Sequence, residues 1–472
     1  MNKKPRFDGL KVTIMGLGLN GGGLASAAYF ARRGAQVTAT DLRSAEVLAP
    51  SIQALEGLNV RFVLGRHDES DFSQADLVVK NPAVRPNNPY LALAKRVETD
   101  LSLFLREVDN PLLAVTGSKG KSTVATALHA IWTAVDPRTR LGGNIAVSPL
   151  SFVDEMEQGA PVVLELSSWQ LADLRGLDVL HPKVAVVTNL LWDHMNVYSN
   201  QEAYARDKAV ILEGQSPQDW ALLNVDQSWG TWFAGHARAR VAVFSAQGRP
   251  NRQQFPGVTP QAEFWLDADQ RGWGALDGPT VELLPQVLKV PGSVFRTNCL
   301  AAAAAAFLAG CEVPAIRSAL ADFRGVPHRM ENFRRWNGVD FFDDTAATIP
   351  EAAVASFLGF KSPVRWIAGG TDKNVDLAPF EGLSNPPAQL VLLGGSATER
   401  LLPLLKAKGW SWDGPFTTMS QAVDAVLEKA RPGDVVLLSP GAASFELFKN
   451  EFDRGRQFQE AVTEKTSGGI RP

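Results

Sequence analysis

The chain has 472 residues, too many for one ordinary core, so two to four domains are expected. Its 47 basic and 50 acidic residues leave a net charge of −3, which argues against a general nucleic-acid-binding surface, and 45% hydrophobic residues is a globular composition. Two cysteines, Cys299 and Cys311, cannot make a disulfide framework, and the N-terminus lacks a signal-peptide apolar core, so a reducing cytoplasm is the expected location.

Residues 11–41 read as a β-α-β unit: strand KVTIM, a helix over 21–33, and strand QVTATD. Between strand and helix lies Gly16-Leu-Gly18-Leu19-Asn20-Gly21, and Asp41 follows twenty residues after Gly21. This is the dinucleotide fingerprint, with glycines for the turn and an acid for a ribose or base. It fits a nicotinamide-dependent dehydrogenase, and equally a UDP-linked substrate, because the unit accepts any diphosphate whose far end reaches the acid. Two strands follow, 60–64 and 77–80, then Asn81-Pro82-Ala83 and a proline-rich stretch to Pro89. A domain boundary is expected near Thr99.

The centre of the chain is organised around residues 112–134. An apolar strand runs into TGSKGKST, Thr116 to Thr123, and then into a segment with Val124, Leu128, Ile131 and Trp132 at helical spacing. Strand, glycine loop and helix together make a phosphate cradle: Gly117 and Gly120 let backbone N–H groups turn inward, and the helix start adds its dipole. Lys121 offers charge to the β- and γ-phosphates of a nucleotide, and Ser122 a hydroxyl to Mg²⁺. Val115 stands where the full P-loop pattern has its first glycine. A glycine turn at Gly142-Gly143-Asn144 comes next. The buried strand PVVLEL then ends in Glu165, where parallel sheets bind ligands, so Glu165 is a candidate Mg²⁺ ligand rather than a solvated side chain. A strand over 183–188 leads to Asn189 and then to Asp193-His194, an imidazole that either binds Mg²⁺ or sits satisfied in the core. From the residues alone, Lys208 on the helix 201–212 is a solvated lysine.

Residues 214–290 are strand-rich, and their tryptophans read as packing. The alanine-rich block 299–309 is too short to span a bilayer and reads as a tightly packed buried helix after Asn298. His328-Arg329-Met330-Glu331 opens a last domain. Its strand near 340–344 ends in Asp343-Asp344, followed by Thr345-Ala346-Ala347-Thr348. A second strand and glycine turn reach Asp372-Lys373-Asn374. A third strand, 435–438, precedes Ser444-Phe445, with Ser444 expected to cap the last helix and present N–H groups to a carboxylate.

TGSKGKST resembles the nucleotide loop of the Mur ligase superfamily, which also lacks the first glycine, and the resemblance runs from about Lys11 to Phe458. It implies an α/β protein of three domains. Residues 1–99 would be a Rossmann-like UDP-substrate domain, 100–325 a P-loop NTPase-like parallel sheet, and 326–472 a Rossmann-like domain for amino acid and ATP. It implies that ATP activates a carboxylate as an acyl phosphate, which an amine then attacks. The 366–374 and 439–455 stretches, with no Asp-Asn-Pro-x-Arg, resemble the D-glutamate-adding branch, whose other substrate is UDP-MurNAc-L-alanine.

By that resemblance Leu19, Asn20, Asn81 and Asn144 lie by the substrate and Asp41 and Arg43 by the uracil. Gly117, Ser118, Lys119, Gly120, Lys121, Ser122, Thr123, Asn298, Arg329 and Asp344 bind ATP. Thr348, Lys373, Ser444 and Phe445 hold the amino acid. Lys121, Glu165, His194 and Lys208 are the implied catalytic set. Two Mg²⁺ ions are held by Ser122, Glu165, His194 and Lys208, the lysine as a carbamate whose oxygens suit a hard cation. No nucleic acid, no membrane insertion and a monomer are expected. The chain departs from the pattern at Asn81-Pro82-Ala83 (commonly Ser-Pro-Gly), at Val294 and Phe295 (commonly His-Asn), and at Ala346 (commonly lysine). Alternatives are another Mur-type ligase with a different amino acid, such as L-glutamate, and a nicotinamide-dependent dehydrogenase. The dehydrogenase leaves the loop, Glu165, His194 and Lys208 idle.

Overall fold

The computed structural model describes residues 6–19, 21–145, 147–192, 198–251, 259–276 and 278–467. They form a mixed α/β protein with three sheets. The chain divides into two compact units, one running through Gln286 and including Thr297–Leu320, the other made of Val287–Arg296 and the chain from Ala321 onward.

The first unit holds two sheets. The smaller contains β1 (Lys11–Met15), β2 (Gln36–Asp41), β3 (Val60–Leu64), β4 (Leu77–Lys80) and β5 (Val97–Glu98), all parallel, in the order β3-β2-β1-β4-β5. The helix Gly22–Ala31 packs so closely on the loop after β1 that a Cβ on Gly23 would lie 2.2 Å from the Gly16 carbonyl oxygen. Thr99 ends this region with a reciprocal cap. Its hydroxyl accepts from the Ser102 N–H, and its own N–H donates to the Ser102 hydroxyl, which starts the helix Asp100–Glu107.

The larger sheet contains β6 (Leu112–Thr116), β7 (Arg140–Gly143), β8 (Val162–Glu165), β9 (Val184–Val187), β10 (Trp220–Asn224), β11 (Arg240–Ser245), β12 (Ala262–Leu266), β13 (Gly272–Leu276) and β14 (Val281–Glu282). The order is β14-β13-β12-β11-β10-β9-β6-β8-β7, parallel except at β12-β13-β14. Every residue of β6 is buried, as a parallel strand covered on both faces requires. The alanine run behaves as its composition predicts: in the helix Ser293–Leu308, residues 299–306 have no exposed surface. In the tryptophan-rich stretch, Trp273 donates to Asp267 at 2.7 Å, and Arg271, Arg249 and Arg240 lie over Trp273, Trp265 and Trp220.

The second unit contains β15 (Glu331–Trp336), β16 (Val339–Asp343), β17 (Val364–Gly369), β18 (Gln389–Leu393), β19 (Asp413–Phe416) and β20 (Val435–Leu438), in the order β15-β16-β20-β17-β18-β19. Only β15-β16 is antiparallel. Its two-residue turn, Asn337-Gly338, has φ of 48° and 76°, the left-handed pair such a hairpin favours. Trp366 sits fully buried at the centre, stacked between Phe357 and Phe380.

Candidate active site

The nucleotide-type loop leaves β6 and enters the helix Lys121–Val135. Gly117 and Gly120 have φ of 145° and 85°. A Cβ on Gly117 would lie 1.9 Å from the Thr188 hydroxyl oxygen, and one on Gly120 would lie 2.5 Å from the Asn298 side-chain oxygen. Both positions therefore demand glycine twice over, by conformation and by space. Gly120 is the N-cap, so no side chain caps this helix, and its first N–H groups suit an anion. The loop is braced by the end of β9. Asn189 accepts from the Ser118 N–H through its carbonyl (3.0 Å) and from the Lys119 N–H through its side chain (2.9 Å). The Thr188 hydroxyl donates to the Lys119 carbonyl at 2.7 Å. The Lys121 ammonium donates to the Ser118 carbonyl at 3.0 Å. Ser122 and Thr123 stand partly buried in the first turn.

Glu165 ends β8 in register with Val115, beside the point where the loop begins. It is 1% exposed. One carboxylate oxygen accepts from the Asn144 side chain at 3.0 Å; the other is buried with no hydrogen-bond partner among the described residues. An orphaned carboxylate oxygen beside an anion cradle fits a hard cation. On the other flank, Lys208 lies in the helix Gln201–Glu213 and is also 1% exposed, contrary to the solvated lysine its residues suggest. Its ammonium donates to the Gly117 carbonyl at 2.8 Å and lies 4.5 Å from the centre of the Tyr204 ring. Tyr204, one turn earlier on the same helix face, reaches Ser118 through its hydroxyl at 3.3 Å. Thus β6, β8 and the 201–213 helix bring Lys121, Glu165 and Lys208 to one loop. His194 and Asn20 lie outside the described residues.

In the smaller sheet, Asp41 ends β2 and turns back on the glycine loop. It accepts from the Gly18 N–H at 3.0 Å, and from the Arg43 N–H (3.0 Å) and guanidinium (3.2 Å). Burial works against its charge, but these donors outweigh burial and hold the carboxyl below its usual range. Leu19 is half exposed at the loop tip, and Asn81, after β4, accepts from the Ala83 N–H with its side-chain oxygen. Asn144 is exposed apart from its bond to Glu165.

In the second unit, Arg329 is exposed in a turn between two left-handed residues, His328 (φ 62°) and Met330 (φ 49°). The turn is pinned from below: His328 Nδ1 pairs with Asp343 at 2.7 Å, and the Met330 N–H donates to Asp344 at 3.1 Å. Asp344 also accepts from Ser356 (2.6 Å) and Ser439 (2.7 Å); burial pushes its carboxyl up to about 6. The last helix, Glu451–Thr466, is capped by Asn450 and not by Ser444. Ser444 instead begins a turn six residues earlier, its carbonyl accepting from Phe448. Its hydroxyl is buried and has no hydrogen-bond partner among the described residues. Exposed Phe445 lies under the Lys373 ammonium, 5.0 Å from ring centre to nitrogen, and Thr348 is half-buried after Ala346 and Ala347. Arg454 is fully buried. Its guanidinium donates to the Thr345 hydroxyl and carbonyl and to the carbonyls of Ala442 and Ala443, at 2.9–3.0 Å. Sequence reading gave no role to Asn189, Tyr204 and Arg454. Asn189, four residues before Asp193-His194, and Tyr204, at helical spacing from Lys208, left a signal.

The Mur ligase middle domain family matches residues 115–306, and the MurD-like N-terminal domain of Mur ligases matches residues 10–101. A UDP-N-acetylmuramoylalanine–D-glutamate ligase of Treponema pallidum is 39% identical over 97% of this chain and 98% of its own length. Relatives with the same name from Borreliella afzelii and Roseiflexus sp. are also 39% identical, each over 96% of this chain and 97% and 98% of their own. Among solved structures, UDP-N-acetylmuramate-alanine ligase MurC from Thermotoga maritima shares the fold, with TM-score 0.58 and 18% identity over 97% of this chain and 100% of that one. MurF from Acinetobacter baumannii does so with TM-score 0.56 and 15% identity over 96% and 94%. The chain therefore belongs to the Mur ligase family, among the relatives named UDP-N-acetylmuramoylalanine–D-glutamate ligase.

Proposed function

We propose that the chain is an ATP-dependent amide ligase of peptidoglycan precursor synthesis that joins D-glutamate to UDP-N-acetylmuramoyl-L-alanine. The observation that carries the chemistry is the orphaned oxygen of Glu165, set beside an uncapped glycine loop that also receives Lys208. A carboxylate oxygen of the substrate attacks the γ-phosphorus of ATP, and ADP leaves. The glutamate amine then attacks the acyl carbon, phosphate leaves and the amide forms. The loop N–H groups and Lys121 hold phosphate charge, with Gly117, Ser118, Lys119, Gly120, Ser122 and Thr123 forming the cradle and Asn298, Arg329 and Asp344 completing the ATP contacts. Bound Mg²⁺ would neutralise phosphate charge as it develops. Ser122, Glu165, His194 and Lys208 would hold two such ions, Lys208 as a carbamate. The place of Lys208 supports that assignment, since its side chain is buried at the glycine loop and does not face solvent.

Leu19, Asn20, Asp41, Arg43, Asn81 and Asn144 would receive the UDP-substrate. The buried hydroxyl of Ser444, without a hydrogen-bond partner among the described residues, supports a carboxylate site with Lys373, Thr348 and Phe445. In this reading, residues 1–99 serve the UDP-substrate, 100–325 the ATPase and 326–472 the amino acid and ATP, in a cytoplasmic monomer. No helix among the described residues is long and apolar enough to cross a membrane. The test is phosphate release with UDP-N-acetylmuramoyl-L-alanine, ATP and Mg²⁺ against a panel of amino acids. Release with D-glutamate is expected. Release with only another amino acid reassigns the second substrate, and tight NAD binding without affinity for the UDP sugar restores the dehydrogenase.

A further inference from the structure

Lys80, the last residue of β4, is 6% exposed, and its ammonium has two partners. It donates to Asp173 at 2.6 Å and to the Val84 carbonyl at 3.1 Å. The second bond closes the 81–84 turn that contains Asn81. The first reaches the helix Ser168–Leu174, whose cap, Ser167, stands two residues after Glu165; the Asp173 side chain is itself 7% exposed. Asp100 completes the cluster. It accepts from the Ser148 hydroxyl at 2.7 Å, just beyond the Asn144 turn, and lies 3.3 Å from where a Cβ on Gly22 would stand, at the start of the helix after the glycine loop. One cation and two carboxylates therefore adjoin Gly22, the 81–84 turn and Ser148 at once.

A buried ion pair is poor cement, because an apolar pair of the same volume stabilises as well or better. What it supplies is a unique geometry. We propose that Lys80 is a positioning residue: its ammonium ties the 81–84 turn to the helix that follows Glu165, so that the UDP-substrate's diphosphate is received in register with the carboxylate to be activated. This rests on the function proposed above.

The test compares Lys80→Met/Asp173→Asn, which removes both members of the ion pair, with wild type and with Lys80→Arg. Calorimetry measures affinity for UDP-N-acetylmuramoyl-L-alanine, initial rates give KM for ATP, and a melt reports folding. The double variant should bind the UDP-substrate about 10- to 100-fold more weakly with KM for ATP unchanged, and Lys80→Arg should recover part of the loss. A folded double variant with wild-type affinity, or one that loses ATP and UDP-substrate equally, overturns the assignment. Should the double variant not fold, Asp173→Asn alone, which keeps the Val84 bond, decides: a weaker affinity for the UDP-substrate alone supports Lys80, and no change overturns it. Wild type that fails to bind the UDP-substrate refutes the proposed function itself, a result separate from any variant's.

Discussion

Replacing Arg454 with methionine should damage activity far more than stability. The guanidinium is fully buried, and burial pushes it down to about 10 from its ordinary 12.5, a cost of roughly 3 kcal/mol that methionine does not carry. Against that, the change strands the carbonyls of Thr345 and Ala442, while Ala443 keeps its bond from the Thr371 N–H. Two stranded carbonyls cost about 2–6 kcal/mol. The two effects largely offset, leaving a net change between a gain of about 1 and a loss of about 3 kcal/mol. Position is not offset in the same way. Arg454 is one of the links between the 442–444 segment and the 345–348 turn, which carry Ser444 and Thr348, beside the Gly441 N–H that donates to the Ala347 carbonyl. A drift of about 1 Å there costs on the order of 100-fold in kcat/KM for glutamate. The assay is phosphate release with glutamate varied, run beside a thermal melt. A folded variant with wild-type KM for glutamate refutes the reasoning.

Lys208→Ala should lose nearly all turnover and regain part of it with formate or acetate, whose oxygens stand in for a carbamate; full activity without rescue removes the carbamate from the site. Lys373→Ala should raise the KM for glutamate well above any change in that for ATP, and an equal rise in both places Lys373 elsewhere. Asp344 should make the fold pH-dependent. Its folded value near 6 exceeds the ordinary 3.8, so its contribution is fully present below about pH 4 and is lost as pH rises through 6, on the order of 3 kcal/mol in all. Melting temperatures at pH 4.5 and 7.5 should therefore diverge more in wild type than in Asp344→Asn. Parallel behaviour argues that Asp344 titrates normally.

The glycine loop was legible because its demands are local. Gly117 and Gly120 are required by backbone conformation, and the apolar run before them and the helical spacing after them define their setting. The same holds for β3, β4 and β20, whose apolar runs have the bounds their residues suggest, and for the buried alanine helix. Ser444 as a helix cap was a local inference that failed: Asn450, six residues on, has the extended backbone and free side-chain oxygen the helix start needs.

Local sequence thus determined the α/β alternation, the glycine loop and the strand-end acid Glu165. These follow from periodicity, turn chemistry and the place where parallel strands end. Only the tertiary structure decided that Lys208 is buried against the Gly117 carbonyl, that Asn189 braces the loop, that Arg454 joins two loops and that Lys80 meets Asp173. Those pairings join residues 70 to 109 positions apart. A lysine or arginine looks the same in sequence whether it faces water or a carbonyl; strand order brings its partner to it, and a buried charge keeps its place only where that partner waits.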